Sequence, residues 1–203
     1  MNERLLIWRG VGEWRAEATT VELGSDALRA AGTQIADEPL AYRLDYELET
    51  GERFVTRTLA ITARGSGWRR SLRLGRDEGG AWTIDAEASG EAAMAPPGGD
   101  AAALAEALDC DLGFSPLTNL MPIRRHALHQ GPGEHEFTMA WVSVPELTVV
   151  AARQRYTHLG ADEGGATVRF ESLDGEFAGF RAELELDRDG VIRSYPELAR
   201  RVG

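Results

Sequence analysis

The feature that most constrains this chain is an alternation of apolar and polar residues with period two, repeated along much of its length. It is the pattern of strands with one buried face. Across residues 68–74, Trp68, Leu72 and Leu74 share one face, while Arg69, Ser71 and Arg73 share the other. Arg70 interrupts the apolar face. The acid and glycine residues at 76–80 supply a tight turn, and Trp82 and Ile84 resume the alternation, which predicts a hairpin. A second hairpin is predicted where Phe180, Ala182, Leu184 and Leu186 alternate with Arg181, Glu183 and Glu185. There the turn is Asp187-Arg188-Asp189-Gly190, leading into 191–195. Further strands are expected at residues 4–9, 13–23, 41–49, 53–63, 136–144, 147–157 and 166–172.

Such a meander belongs to the mainly β class: antiparallel strands forming a partly open barrel or β-roll. One short inserted helix is expected at 101–108, where Asp100 can cap a run of alanine, leucine and glutamate. A short turn is expected near residues 25–29. The Pro-Pro-Gly-Gly stretch at 96–99 reads as a loop rather than a linker. The 203 residues are enough to bury roughly 70% of the unfolded surface, which suits a single domain over 1–203.

Composition narrows the function classes. The net charge of −11 disfavours bulk attraction to nucleic acid or to anionic membrane. All 22 basic residues are arginine, whose forked donors suit phosphate and carboxylate, although GC-rich codon usage gives the same bias. The single cysteine, Cys110, excludes an internal disulfide and reads as a small buried hydrophobe. Residues 1–9 contain an early acid and only four consecutive apolar residues, short of a signal-peptide core. No run approaches the ~20 apolar residues of a membrane span, so the expectation is a soluble cytoplasmic protein without a transmembrane segment.

Motifs of catalysis are missing. There is no Gly-x-Ser-x-Gly, no Walker-type phosphate loop and no complete Gly-x-Gly-x-x-Gly. No cofactor is implied. His126 and His129 fall in a stretch read as strand, where a spacing of three sends them to opposite faces, so no metal site is expected. Asp109 and Asp111 flank Cys110, but with 33 acidic residues in the chain such a pair does not by itself indicate acid–base chemistry. The Arg doublets at 69–70, 124–125 and 200–201 put neighbours on opposite faces wherever they lie in strands.

Residues 111–125 stand out as an apolar run broken by Gly113, Pro116 and Pro122 and by the turn formers Thr118 and Asn119. It reads either as a plug closing one end of the sheet or as the lip of a ligand cavity. In the second case Arg124 or Arg125 would face a headgroup. Downstream, both faces of 149–156 begin apolar and become polar, Val149 and Ala151 leading to Arg153 and Arg155, and Val150 and Ala152 to Gln154 and Tyr156.

Trp8-Arg9-Gly10, Asp111-Leu112-Gly113-Phe114 continuing through Thr118-Asn119 to Pro122-Ile123-Arg124-Arg125, Pro145-Glu146-Leu147-Thr148-Val149, Gln154-Arg155-Tyr156 and Tyr195-Pro196 together resemble the bacterial putative glycolipid-binding family. The resemblance spans almost the whole chain. It implies a β-rich, partly open barrel similar to the carriers that move lipoproteins across the periplasm. The function expected on this basis is noncatalytic binding of an amphipathic small molecule, a glycolipid, in an apolar cavity. Its candidate wall holds Trp68, Leu72, Trp82, Phe137, Met139 and Trp141. Its candidate polar contacts are Thr118, Asn119, Arg124, Arg125, Arg153, Arg155 and Tyr156. Two other readings stay open: an enzyme acting on a lipid or sugar conjugate with Asp111 or His126 as acid or base, and a protein-interaction module using a sheet edge.

Overall fold

The computed structural model describes residues 2–203. The first half of the chain is a meander of seven strands: β1 (Asn2–Gly10), β2 (Arg15–Leu23), β3 (Leu28–Ala36), β4 (Tyr42–Thr50), β5 (Thr56–Gly65), β6 (Trp68–Arg76) and β7 (Trp82–Gly90). The two-residue β8 (Gly98–Gly99), β9 (Ala107–Leu112) and helix α1 (Leu120–Arg125) follow. The chain then returns to strands as β10 (Glu134–Val142), β11 (Thr148–Asp162), β12 (Gly165–Ser172), β13 (Arg181–Asp187), β14 (Ile192–Tyr195) and β15 (Ala199–Arg201). All belong to one sheet, in the spatial order β7-β6-β5-β4-β3-β2-β1-β15-β14-β13-β12-β11-β10-β9, with β8 on the side of β11. The two ends of this path do not pair, so the sheet is not closed. Pairing is antiparallel throughout except for β9 on β10 and β8 on β11.

Both expected hairpins form where the turn chemistry places them. Between β13 and β14, Asp187 Oδ1 accepts from the N–H groups of Asp189 and Val191, and Gly190 takes the left-handed φ of 83° that completes the turn. Between β6 and β7, Asp77 Oδ1 accepts from Ala81 N–H, with Gly80 at φ 90°.

The helix lies elsewhere than expected. Asp100 does cap Ala102, but Ala101–Leu104 makes only a four-residue 3-10 turn before the chain enters β9. Helix propensity at 105–108 yields to strand pairing, which buries Ala107, Asp109, Cys110 and Leu112 against β10. The one α-helix among the described residues is α1, inside the segment rich in proline and turn formers, with Pro122 in its first turn, where an N–H is not needed. His126 and His129 follow it in turn structure rather than strand. The short turn expected near 25–29 forms at 24–27, where Gly24 N–H donates to the Ala27 carbonyl at 2.9 Å, and Leu28 and Arg29 already belong to β3.

The inner face of the sheet holds the core. From β1–β7 it receives Trp8, Val21, Leu28, Leu44, Leu48, Leu59, Leu72 and Leu74, and these pack against Leu104, Leu112, Leu117, Leu120 and Met121 of the 101–125 segment. A second cluster, around Ile123, Tyr156, Val168, Phe170, Leu184 and Ile192, covers the β11–β14 half. Arg70, the break in the β6 pattern, is buried on the same face. Its guanidinium donates to the carbonyls of Met94, Ala95 and Glu146, 2.8 Å to the last, and so pins two loops over the sheet.

Gly32 marks a place where backbone must leave room. A Cβ there would stand 2.5 Å from both Thr19 Oγ1 and Tyr46 Cζ, so the missing side chain is what lets the Tyr46 ring cross β3. Replacing Gly32 by alanine is expected to lower unfolding free energy by about 1–3 kcal/mol through overpacking. A urea midpoint unchanged from wild type would show that Tyr46 can move aside.

Candidate functional site

The sequence-predicted contacts do not converge on one open site. Trp68 and Trp82 are buried in the main core, and Trp82 Nε1 donates to the Ala107 carbonyl at 3.0 Å. Thr118, Asn119 and Tyr156 do come together, in a buried polar network under the sheet. Thr118 Oγ1 donates to Asp111 Oδ1 at 2.8 Å, Gln154 Nε2 to Asp111 Oδ2 at 2.7 Å, and Tyr156 Oη to Asn119 Oδ1 at 2.9 Å. Leu72 and Met139 are buried, and half-buried Phe137 packs on His126, His135 and Tyr156.

The Arg doublet of α1 divides. Arg125 forks onto Asp109, a pair with side chains 2% and 1% exposed, and also donates to the carbonyls of Arg53 and Phe54. Those two residues have left-handed φ angles of 55° and 59°, so Arg125 braces a strained turn as well as a charge. Arg124 reaches the carbonyls of Gly24 and Asp189 and lies over the Phe54 ring. On the far half of the sheet, Arg153 and Arg155 meet at Glu136, and Trp141 rests edge-on against Phe177. His126 stacks on His135 with ring centroids 4.1 Å apart. Desolvation, with His135, Arg125 and Arg53 nearby, holds its pKa down at about 4. Among the described residues no group of three or more His, Cys, Asp or Glu is placed to hold a metal ion.

A carboxylate that sequence reasoning passed over is the hub of the inner face. Glu17 on β2 accepts from Tyr46 Oη at 2.6 Å, Ser115 Oγ at 2.8 Å, Thr19 Oγ1 at 3.0 Å and Gln34 Nε2 at 3.3 Å. Gln34 also donates to the Gly113 carbonyl, so Gly113 and Ser115 fasten the plug segment to β2, β3 and β4. Phe114 between them has φ 64°, and the Arg15 guanidinium lies 3.5 Å over its ring. Burial pushes the Glu17 pKa up, and the four hydrogen bonds only partly offset that. The space beside this cluster is only about 10 Å³, bounded by Trp8, Arg15, Gln34 and Phe114 among others.

The open volume lies on the opposite, outer face of β1–β7. A trough of about 830 Å³ runs across the strands there and is open to solvent. Cross-strand register sets its floor in two rows. One reads Leu5, Thr20, Ala31, Glu47, Ala60, Arg73, Asp85 from β1 to β7. The other reads Ile7, Ala18, Thr33, Asp45, Thr62, Ser71, Glu87. Small side chains on adjacent strands leave the hollow. Its β1–β3 end is lined by Leu5, 67% exposed, with Ala18, Ala31, Thr20 and Thr33, and Ile7, 39% exposed, lies next to Ala18 just outside the lining. Its β4–β7 end carries Asp45, Glu47, Arg73, Asp85 and Glu87 around Ala60, Thr62 and Ser71.

An unclosed antiparallel sheet with one face filled by its own plug and the other hollowed defines a β-rich class with an exposed sheet surface. Within that class the chain belongs to the family described as Putative glycolipid-binding, whose model matches residues 5–201. The resemblance carried by the 111–125 block thus extends over nearly the whole chain. A crystal structure of a DUF1089 family protein from Pseudomonas aeruginosa is similar at 27% identity and a TM-score of 0.69, over 96% of this chain and 95% of that one. A beta-barrel-like DUF1849 protein from Brucella abortus aligns at 7% identity and a TM-score of 0.46, over 98% and 94% of the two chains. No curated protein matches the chain. No helix among the described residues is long and apolar enough to cross a membrane.

The raised Glu17 pKa gives stability a pH dependence of known sign. Above the ordinary carboxyl value of 4.5 the unfolded chain releases this proton while the folded one retains it. The contribution of Glu17 is therefore full below 4.5 and is lost as pH rises through the folded value. In the variant Glu17→Gln the remaining oxygen still accepts from Tyr46, Ser115 and Thr19, while its new amide N–H reaches Gln34 Oε1 only if Gln34 turns and gives up its bond to the Gly113 carbonyl, a loss that does not vary with pH. As pH rises from 4.5 the urea midpoint of wild type should therefore fall relative to that of the variant. Parallel curves would mean that Glu17 ionises normally in the fold.

Proposed function

We propose that this protein is a noncatalytic binder of an amphipathic ligand, a glycolipid, and that the outer-face trough is where the ligand lies. The observation that carries this reading is the change of polarity along the strand order. Leu5, Ala18 and Ala31, with Ile7 beside them, offer an apolar patch about 10 Å across at ordinary strand spacing, suited to an alkyl chain. The carboxylates and Arg73 beyond Ala31 offer acceptors and a forked donor to sugar hydroxyls over a floor of Ala60, Thr62 and Ser71. Family membership supports a binding role for the fold. Trp8, Trp68, Trp82 and the residues of the 111–125 block, packed beneath the sheet, serve this function as the scaffold that holds β1–β7 in register. We place the protein in the cytoplasm and treat residues 1–203 as one domain.

The test is calorimetric titration with dodecyl maltoside below its critical micelle concentration. Ala60→Trp puts a large ring on the floor between Glu47 and Arg73, a half-buried outer-face position where stability should change by no more than about 0.5 kcal/mol. Affinity is expected to fall at least about tenfold, a loss of 1.4 kcal/mol or more. Undiminished binding to Ala60→Trp would remove the trough as the site.

A further inference from the structure

Most charged neighbours on this sheet are paired with the opposite sign. Arg29 faces Glu22 and Glu49, Arg73 faces Asp85, Arg155 faces Glu136 and Glu171, Arg169 faces Glu183, and Arg181 faces Glu171. This is what cross-strand electrostatics favours, because like charges directly opposite each other destabilise a sheet. Two isolated like pairs, Glu3 with Glu22 and Arg9 with Arg200, depart from the rule. Along one long side of the trough the departure is larger. Arg43 on β4 faces Arg64 on β5, and Arg64 faces Arg69 on β6, the one run of like charge across three strands among the described residues.

Arg43 and Arg64 are tied to the trough through Asp45, and Arg69 stands next to Arg64 in the same cross-strand row. Arg43 Nη2 lies 2.8 Å from Asp45 Oδ1 and Arg64 Nη2 lies 2.5 Å from Asp45 Oδ2, and Asp45 is part of the trough lining. Both guanidiniums remain about half exposed, at 56% and 52%. One carboxylate thus serves two arginines, with a third beside them. Partial burial opposes ionisation of Asp45, but hydrogen bonds from Arg43, Thr33 and Arg64 outweigh it and hold its pKa at about 2, so it is charged at neutral pH. The row then carries three cationic groups against one fixed anion. The nearest other trough carboxylate by register, Glu87, faces Ser71 rather than Arg69.

We infer that Arg43, Arg64 and Arg69 form an anion subsite on the wall of the trough, which takes a phosphate or sulfate ester borne by the headgroup of the bound amphiphile. The inference rests on the proposed function and narrows its ligand class from neutral to anionic glycolipids. A tetrahedral oxyanion offers several acceptor oxygens at once, which suits guanidinium forks converging from adjacent strands. It would also supply the counter-charge that the register leaves short. Asp45 then competes with the incoming anion for Arg43 and Arg64 and, by its own charge, limits how tightly an anion is held.

The experiment compares dodecyl phosphate, dodecyl maltoside and inorganic phosphate by calorimetric titration with wild type, Arg64→Ala/Arg69→Ala, Asp45→Asn and, as a control on β13, Arg181→Ala. Dodecyl phosphate should bind wild type more tightly than dodecyl maltoside does, and should weaken progressively with added salt. The double variant is expected to lose about tenfold or more in dodecyl phosphate affinity, the scale of charge-assisted hydrogen bonds, with little change for dodecyl maltoside. Asp45→Asn should bind dodecyl phosphate more tightly, which a purely structural role for Asp45 would not produce. Arg181→Ala should match wild type.

Dodecyl phosphate affinity unaffected by the double variant, or weakened by Asp45→Asn, overturns the subsite while leaving the trough in place. Inorganic phosphate binding as tightly as dodecyl phosphate overturns the headgroup assignment in favour of free phosphate. Failure of both amphiphiles to bind overturns the reading of the trough and the subsite with it. Circular dichroism of each variant confirms that a lost affinity is not a lost fold.

Discussion

A sheet has two faces, and this chain fills only one of them. The path from β7 to β9 does not close, so no barrel interior is sealed by strands alone. The inner face must be covered by something, and residues 101–125 cover it, with Leu104, Leu112, Leu117, Leu120 and Met121 packed against the large side chains of β1–β7. With that space occupied, the hollow of about 830 Å³ on the other face of β1–β7 is the one open to an amphiphile here. There the hollow comes from what the strands omit: Ala18, Ala31, Ala60 and Ser71 stand where long polar chains commonly cover a solvated sheet.

Apolar contact alone would not fix the plug in one position, because greasy surfaces slide. Three buried carboxylates give it direction. Asp109 meets Arg125, Asp111 meets Thr118 and Gln154, and Glu17 meets Ser115. Each joins the plug to itself, to β11 or to β2, and each has its pKa raised by desolvation despite its partners. The Asp109–Arg125 ion pair adds little net stability over a hydrophobic packing of the same shape, but removing one partner leaves an unmatched buried charge at a cost of about 3–5 kcal/mol. Breaking the hydrogen bonds of Asp111 or Glu17 leaves an unsatisfied polar group at about 1–3 kcal/mol. Their value is therefore in specifying a single arrangement. Residues 111–125 are accordingly rich in turn formers and yet buried, since Gly113, Ser115, Thr118 and Asn119 supply the hydrogen bonds that an irregular segment in a core requires.

Local pattern shows the strands well and the site poorly. β6, β7, β13 and β14 are legible because large apolar residues such as Leu72, Leu74, Trp82, Ile84, Leu184, Leu186 and Ile192 alternate with polar ones beside acid–glycine turns. β3 is nearly silent: Leu28–Ala36 contains three alanines and a glycine, and Gln34 occupies an inward position. The helix expected at 101–108 follows alanine propensity, whereas β9 follows a parallel pairing with β10 that no window of local sequence contains. The trough is harder still to see. Its residues read, strand by strand, as an ordinary polar face. Only the register across seven strands brings Ala31, Glu47, Ala60 and Arg73 into one row.

One inversion connects the two faces. On β2, hydrophobicity alone would turn Ala16 and Ala18 inward and Glu17 and Thr19 outward. The structure does the reverse, burying Glu17 and Thr19 at 3% and 0% exposure. Because side chains alternate strictly, burying Glu17 and exposing Ala18 are one choice of register rather than two. That choice is tolerable only because Tyr46, Ser115, Thr19 and Gln34 all donate to the carboxyl, and Tyr46 reaches it only because residue 32 is glycine. The same register then lays Ala18 and Thr20 on the trough floor beside Ala31 and Thr33. The polar hub inside the protein and the bare surface outside it are thus two sides of a single strand. A change that freed β2 to slip by one residue would bury the alanines, expose the carboxylate and cover the trough floor with long polar side chains at once.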